Sequence, residues 1–190
     1  VILGTGVGGG IVFHGRLHEG PQHIAGEWGH NVLDPAGPPC YCGRRGCVET
    51  FISGPGVERR YRALGGDGAR PDVIVARARA GEALAQQVFA EFLDRFGRAV
   101  ANLVSILDPD VVVLGGGLSL IDELYDAGRA AAARYVFNDE LRTRGYYLGS
   151  NVSYNLKKLV EMGFLDHQRS RVDRRSVRIK LTDKGREVRN

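Results

Sequence analysis

Residues 26–56 read GEWGHNVLDPAGPPCYCGRRGCVETFISGPG and hold all three cysteines of the 190-residue chain. Cys40, Cys42 and Cys47 fall within eight residues, Pro38-Pro39, Gly43 and Gly46 shape the loop, and His30 stands ten positions before the first thiol. Three thiolates and one imidazole make a four-coordinate set suited to tetrahedral Zn²⁺. The competing reading is free thiols or a disulfide, against which stand the odd count and the lack of a readable secretory leader. Four protein ligands leave no position for a metal-bound water, so the spacing predicts a structural zinc.

Upstream, residues 1–15 read VILGTGVGGGIVFHG. A strand-like VIL runs into Gly4, Gly6, Gly8, Gly9 and Gly10, with Thr5 among them, and a second strand-like run follows. Backbone without Cβ approaches a ligand closely, and successive N–H groups cup a phosphate. No Gly-Lys-Ser/Thr follows, and a strand rather than a helix comes next, which excludes a P-loop and a dinucleotide-binding turn. A tight hairpin explains the same glycines equally well. Downstream, the chain turns helical from about Gly54. Leu84, Val88, Phe89, Phe92, Leu93, Phe96, Val100, Leu103, Val104 and Leu107 recur at three- and four-residue steps, predicting one amphipathic helix over 82–107. Asp108-Pro109 stops it. DVVVLGGG then predicts a buried parallel strand ending in Gly115, Gly116 and Gly117, with a helix starting at Ser119, a plausible nucleotide contact at the carboxyl edge of a sheet.

LGTGVGGGIV, GEWGH, CYCGRRGCVE, SGPG and VVLGGGLS occur in one order over roughly residues 1–136. In that order they resemble the C-terminal half of the bacterial hexokinases of the ROK family (repressors, open reading frames, sugar kinases). The resemblance implies an α/β fold: the C-terminal lobe of an actin-like ATPase with a zinc loop. It implies that Thr5, Gly6, Gly8, Gly9 and Gly10 meet the phosphates of ATP, carried with Mg²⁺, and that Gly115, Gly116 and Gly117 approach the adenosine. Glu27, His30 and Glu49 would hold the hydroxyls of fructose, glucose or an N-acetylated amino sugar, while His30, Cys40, Cys42 and Cys47 hold zinc. Carboxylates suit that task because they accept several directed hydrogen bonds. Outside this context either glutamate reads as a surface charge. Such kinases also carry an Asp-x-Gly-x-Thr phosphate loop and an Asn-Asp pair whose aspartate takes the sugar proton. The loop is not in this sequence, and the one Asn-Asp present, Asn138-Asp139, lies beyond the motifs that carry the resemblance, so no catalytic residue is assigned and the 190 residues alone are expected to turn over little or no sugar.

Residues 139–190 carry 13 Lys/Arg against 7 Asp/Glu, whereas residues 1–138 carry 13 against 15. That asymmetry points to a polyanionic partner for the tail alone. Tyr146-Tyr147-Leu148-Gly149 reads as a turn, and Ser150 or Asn151 as the cap of a helix ending at Gly163. On it Ser153, Tyr154, Asn155, Lys157 and Lys158 face outward, as a helix in a major groove requires. HQRSR (167–171) and SVRIKLT (176–182) read as two strands around VDRR, gathering Arg169, Arg171, Arg174, Arg175 and Arg178 on a basic ribbon, with a further helix from Thr182. Over 139–190 this resembles the winged helix-turn-helix of MarR-type regulators, which implies DNA as a partner. A homodimer is the assembly those regulators build through an upstream helix and long terminal helices, and these are missing here.

Residues 121–145, IDELYDAGRAAAARYVFNDELRTRG, pass from one pattern to the other inside what reads as a continuous helix without a Gly/Pro/Ser linker. The composition, 43% hydrophobic and 25% charged, is that of a soluble globular protein, and no apolar run approaches the ~20 residues that span a bilayer. No leader is readable, so a cytoplasmic location without membrane contact is the expectation. Three functions remain open: a ROK-type sugar kinase portion joined to part of a winged helix, a sugar-responsive regulator binding DNA through 139–190, and a zinc-stabilised binding protein.

Overall fold

The computed structural model describes residues 1–137, 147–149, 160, 163, 165–169 and 177–182. The glycine-rich start folds as a hairpin of β1 (Ile2–Leu3) and β2 (Val7–Gly8), antiparallel with Leu3 opposite Val7. Its turn is closed by the Gly4 N–H donating to the Gly6 carbonyl at 3.0 Å. A second hairpin joins β3 (Ile11–Phe13) to β4 (Arg16–His18) through His14 and Gly15, at φ 51° and 74°. Two left-handed residues are what a two-residue primed turn demands, because its twist matches that of the strands.

The helical region opens with α1 (Glu49–Ile52) and α2 (Gly54–Ala63). Ser53 separates them, its Oγ accepting the Gly56 N–H at 3.1 Å as an N-cap, with Pro55 in the first turn of α2. After α3 (Pro71–Arg79) comes α4 (Ala83–Leu107), the long helix that the periodicity predicts. Val88, Phe92, Phe96, Val100 and Val104 are buried, and the other five residues of the apolar stripe are half-buried at its edges. Asp108 adopts φ 40° and ends the helix before Pro109. Leu3, Val7, Trp28, Val48 and Ile52 join the same core, so the N-terminal hairpin and the cysteine loop rest on one apolar platform.

Against α4 packs α5 (Ala127–Ala133). The two backbones meet at Gly97, where an added Cβ would stand 2.5 Å from the Ala131 carbonyl carbon and 2.6 Å from the Ala132 nitrogen. Those atoms belong to backbone and cannot swing aside. Gly97→Val is therefore expected to push α5 off α4 and destabilise the chain by about 1–3 kcal/mol or more. Denaturant titration of the variant against the parent checks this: an unchanged midpoint would refute close packing at Gly97.

Several elements differ from the sequence reading. β5 (Val111–Val113) has a parallel neighbour, but Val111 and Val113 are 46% and 43% exposed, and only Val112 and then Leu114 turn into the core. Its neighbour is β6 (Tyr147–Gly149), with Val111 opposite Tyr147, so the expected turn at 146–149 is a strand at 147–149. The free N–H and C=O row along β5 is satisfied by an extended segment and not by a turn. Just past β5, the Leu3 N–H donates to the Gly115 carbonyl and the Gly115 N–H to the Val1 carbonyl, both at 2.8 Å, which lays β1 alongside. A 3-10 turn occupies Gly117–Leu120 where a helix from Ser119 was expected, with Ser119 Oγ bonding back to the Gly116 carbonyl at 2.7 Å. The continuous helix expected through 121–145 is also broken. Asp122–Leu124 is a 3-10 turn and α5 stops at Ala133, because Val136 is pulled into the core.

In the basic tail, β7 (Leu165–Arg169) pairs antiparallel with β8 (Val177–Leu181), Arg169 opposite Val177. This is the expected ribbon, with its first strand beginning two residues earlier than read. Gly163, at φ 74°, donates its N–H to the Val160 carbonyl, the geometry of a helix stop. Ser153, Tyr154, Asn155, Lys157, Lys158, Arg171, Arg174 and Arg175, and the helix expected after Thr182, lie outside the described residues. No helix among the described residues is long and apolar enough to cross a membrane.

Candidate functional site

The β1–β2 hairpin forms one wall of a cleft of about 330 Å³, lined from Ile2 through Thr5 to Gly9 and completed by Glu27 and Glu49. Glu49 lies in the first turn of α1, and its Oε2 accepts the Val7 N–H at 2.8 Å. Glu27 precedes a 3-10 turn, Trp28–His30, that is pressed onto the same hairpin. There Trp28 Nε1 donates to the Gly8 carbonyl at 2.9 Å. Gly29 crosses the Val7 carbonyl so closely that an added Cβ would lie 1.9 Å from its oxygen. The motif GEWGH is thus an anchoring device: an indole and a glycine dock the turn, leaving Glu27 on the cleft and His30 on its far side.

His30 does not line the cleft. Its Nδ1 lies 3.6 Å from Cys40 Sγ and its Nε2 is 2.9 Å from Tyr41 Oη. Cys42 and Cys47 bring their sulfurs to 3.6 Å, and one donor atom from each of His30, Cys40, Cys42 and Cys47 lies within 4.8 Å of all the others. Metal–sulfur and metal–nitrogen bonds of about 2.3 and 2.1 Å place tetrahedral ligand atoms roughly 3.6–3.8 Å apart, so the four fit a zinc ion. The loop is built for this by backbone bonds: the Cys40 N–H to the Arg44 carbonyl, the Gly43 N–H to the Cys40 carbonyl and the Gly46 N–H to the Pro38 carbonyl, at 2.8, 3.0 and 2.7 Å. The Arg44 backbone N–H, ahead of the neighbouring thiols, brings Cys42 down to about 6, whereas burial pushes Cys47 up to about 11. One thiol ionises readily and another resists, and a divalent cation supplies the charge that lets both be thiolates.

Among the sequence-predicted residues, Thr5, Gly6, Gly8, Gly9, Glu27 and Glu49 converge on the cleft, and His30, Cys40, Cys42 and Cys47 converge on one another at the cysteine loop. Gly10 lies just before β3, and Gly115, Gly116 and Gly117 stand near β1, all four outside the cleft lining. Sequence reasoning missed Trp28, Tyr41 and Arg44, whose guanidinium donates to the His30 carbonyl at 3.1 Å. The lone tryptophan next to Gly29 was the available signal for the first of these.

Solved structures that this chain resembles include sugar kinases of the actin-like ATPase fold and a transcriptional regulator. A ROK family glucokinase from Streptomyces griseus, in complex with glucose and AMPPNP, matches with a TM-score of 0.68 at 33% identity, over 77% of this chain and 53% of that one. A ROK family transcriptional regulator, a homologue of the E. coli MLC protein, matches with a TM-score of 0.67 at 26% identity, over 77% and 39%. The ROK family model matches residues 1–146, and the chain belongs to that family. A second model, the winged helix DNA-binding domain, matches residues 137–185, so a ROK segment is joined to a winged helix. Among curated proteins, the N-acetyl-D-glucosamine kinase of Pasteurella multocida (strain Pm70) is 40% identical over 138 residues, 67% of this chain and 45% of that protein. The chain spans about half the length of the curated relatives it matches.

Proposed function

We propose that the ROK segment is the sugar-holding portion of an ATP-dependent hexose kinase site, with an N-acetylated amino sugar, glucose or fructose as substrate. The observation that carries this reading is the convergence of Glu27 and Glu49 on one cleft whose opposite wall is the glycine hairpin. In it Glu27 and Glu49 accept hydrogen bonds from sugar hydroxyls, and His30, next to the cleft in the same 3-10 turn but outside its lining, offers Nε2 to a hydroxyl that extends beyond it. The Thr5–Gly10 backbone faces the phosphates of Mg-ATP, and Gly115–Gly117 the adenosine. His30, Cys40, Cys42 and Cys47 hold a structural zinc, which fixes the loop that carries Glu49. The name of the Pasteurella relative favours N-acetylglucosamine among the sugars. On this reading the ROK unit extends over about residues 1–136 and the DNA-binding unit over 139–190.

Calorimetric titration of the 190-residue polypeptide with N-acetylglucosamine, glucose and fructose tests the site, and an ATP-dependent phosphorylation assay tests its output. Binding of one of the three with no product at ordinary rates is the expected result, since the sequence offers no Asp-x-Gly-x-Thr loop. Failure of all three to bind would remove the sugar site; rapid product formation would show that these residues suffice for catalysis.

A second reading has its own support in the winged-helix match and the β7–β8 ribbon. It makes the chain a sugar-responsive regulator whose 139–190 segment contacts DNA through phosphate-directed arginines and through Ser153, Tyr154, Asn155, Lys157 and Lys158. A gel shift that weakens steeply with salt and changes with added sugar would favour it over the kinase reading.

A further inference from the structure

The three thiols of the cysteine loop differ in their access to solvent. Cys42 is exposed, whereas Cys40 and Cys47 are buried, Cys47 completely. Gly43 and Gly46, at φ 88° and 64°, fold the chain between Cys42 and Cys47 back on itself, and the two sulfurs meet at 3.6 Å. A disulfide joins its sulfurs at about 2.05 Å, and the gap is of the size that side-chain rotation closes. An accessible sulfur beside an enclosed one is the arrangement in which a small oxidant attacks the first and the second resolves the product. Cys47 is also close to the cleft machinery: its carbonyl accepts the Thr50 Oγ1 hydrogen at 2.7 Å, and Glu49, which holds the Val7 N–H, stands two residues on.

We propose that Cys42 is an oxidation site for hydrogen peroxide and that Cys47 traps the oxidised sulfur as a disulfide, so that the loop gives up its metal and the sugar cleft loses its support. In the first step the Cys42 thiolate attacks the peroxide; an S–O bond forms, the O–O bond breaks, and the leaving hydroxide takes a proton to become water. The Cys47 thiolate then attacks the sulfenic sulfur; the S–S bond forms and a second hydroxide leaves, again as water once protonated. Two thiolates are thereby oxidised by two electrons and one peroxide is reduced to two waters. Only His30 and Cys40 remain as donors, half of a tetrahedral set. A thiol reductant reverses the bond, and in a reducing compartment such a disulfide is transient, as a sensor requires. The inference rests on the zinc reading of the four donors and on the sugar site beside them, and adds to both a reversible off-state.

The test treats the zinc-loaded 190-residue chain with hydrogen peroxide, follows zinc release with a chromophoric chelator, and maps the thiols by alkylation and peptide mass spectrometry. Zinc should leave in step with formation of a Cys42–Cys47 disulfide, two hydrogens lighter than the dithiol, while Cys40 still takes the alkylating agent. Dithiothreitol with added zinc should restore both the thiols and the metal. Calorimetry should show that the oxidised chain has lost the sugar binding of the reduced one and regains it with the reductant. A loaded chain that keeps its zinc and all three thiols under peroxide overturns the proposal, as does a disulfide that includes Cys40, or Cys42 driven to sulfinic acid with Cys47 left free. Sugar binding that survives complete disulfide formation overturns the off-state. A chain that takes up no zinc before oxidation overturns the metal reading, and the proposal falls with it. Sugar that fails to bind even the reduced chain is instead the failure of the kinase reading, and the thiol map and zinc release then decide the oxidation site by themselves.

Discussion

Cys47→Ser is expected to release the metal and to open residues 30–52 while α4 stays folded. Cys47 is fully enclosed, and the bonds around it hold neighbouring segments: the Val48 N–H to the Asn31 carbonyl at 2.9 Å and the Leu33 N–H to the Gly46 carbonyl at 2.7 Å. The loop from 31 to 47 is made of single bridges (Val32 with Cys47, Pro39 with Arg45) and short turns, and is tied to the helical core chiefly at its start, by half-buried Leu33 and by Asp34, 3.2 Å from Arg95. On the zinc reading, the remainder of the loop draws its stability from the metal, whose apparent binding energy in small zinc domains is roughly 10–16 kcal/mol at neutral pH. Serine leaves an alcohol where a thiolate should sit, and zinc affinity should fall by more than the roughly 100-fold that losing an outer-shell partner costs at most. Hydrogen exchange read by mass spectrometry checks the spatial part. In Cys47→Ser, and in the parent treated with a chelator, amides of 30–52 should exchange quickly while those of 88–104 keep their protection. Exchange that ignores both the chelator and the substitution would show that no metal holds the loop.

How much of this was legible in the residues depends on how local the deciding physics is. The four donor residues could be found because metal ligation needs specific side chains at short spacing, and His30, Cys40, Cys42 and Cys47 supply them within eighteen positions. Helix α4 was legible for a similar reason: five large apolar residues at helical steps must share a face. What periodicity could not show is where small residues matter. Gly97 passes unnoticed in the apolar stripe, yet it sets how near α5 lies. Strand partners were the least legible. Nothing near Tyr147 names Val111 as its neighbour 36 positions back, and a three-residue strand carries no period of its own, so a turn was the natural reading. The breaks at Gly117–Leu120 and after Ala133 escaped for the same cause, since they answer to the burial of Leu118 and Val136 and to no local helix signal. At the cleft, the glutamates were recognisable only through their motif. Their physical distinction, that both face the glycine hairpin, belongs to the tertiary structure.

Glu49→Ala should weaken sugar binding by at least about 100-fold, more than any other single change in the cleft. Two losses combine. A carboxylate that receives sugar hydroxyls contributes hydrogen bonds worth about 1.5–3 kcal/mol each when one partner is charged. The same carboxylate also accepts the Val7 N–H at 2.8 Å, so its removal frees the hairpin wall that shapes the cleft. Gly6 shows how tight this join is, because a Cβ there would come to 2.8 Å from Glu49 Oε2. Gln and Asp separate the two contributions. Glu49→Gln retains an acceptor for Val7 but turns an NH2 toward the sugar, and should cost about 10-fold, the loss of one charged hydrogen bond. Glu49→Asp keeps the charge on a shorter arm, and should lose the hairpin contact first. Gly6→Ala leaves every carboxylate in place and should still weaken binding, by driving Glu49 off the hairpin. Calorimetry with the sugar that binds the parent most tightly measures all four. If Glu49→Ala bound that sugar as the parent does, the cleft between the glycine hairpin and α1 would not be the sugar site. If Glu49→Ala lost binding but Gly6→Ala did not, the carboxylate would act on the sugar alone, and the join to Val7 would be only a structural tie.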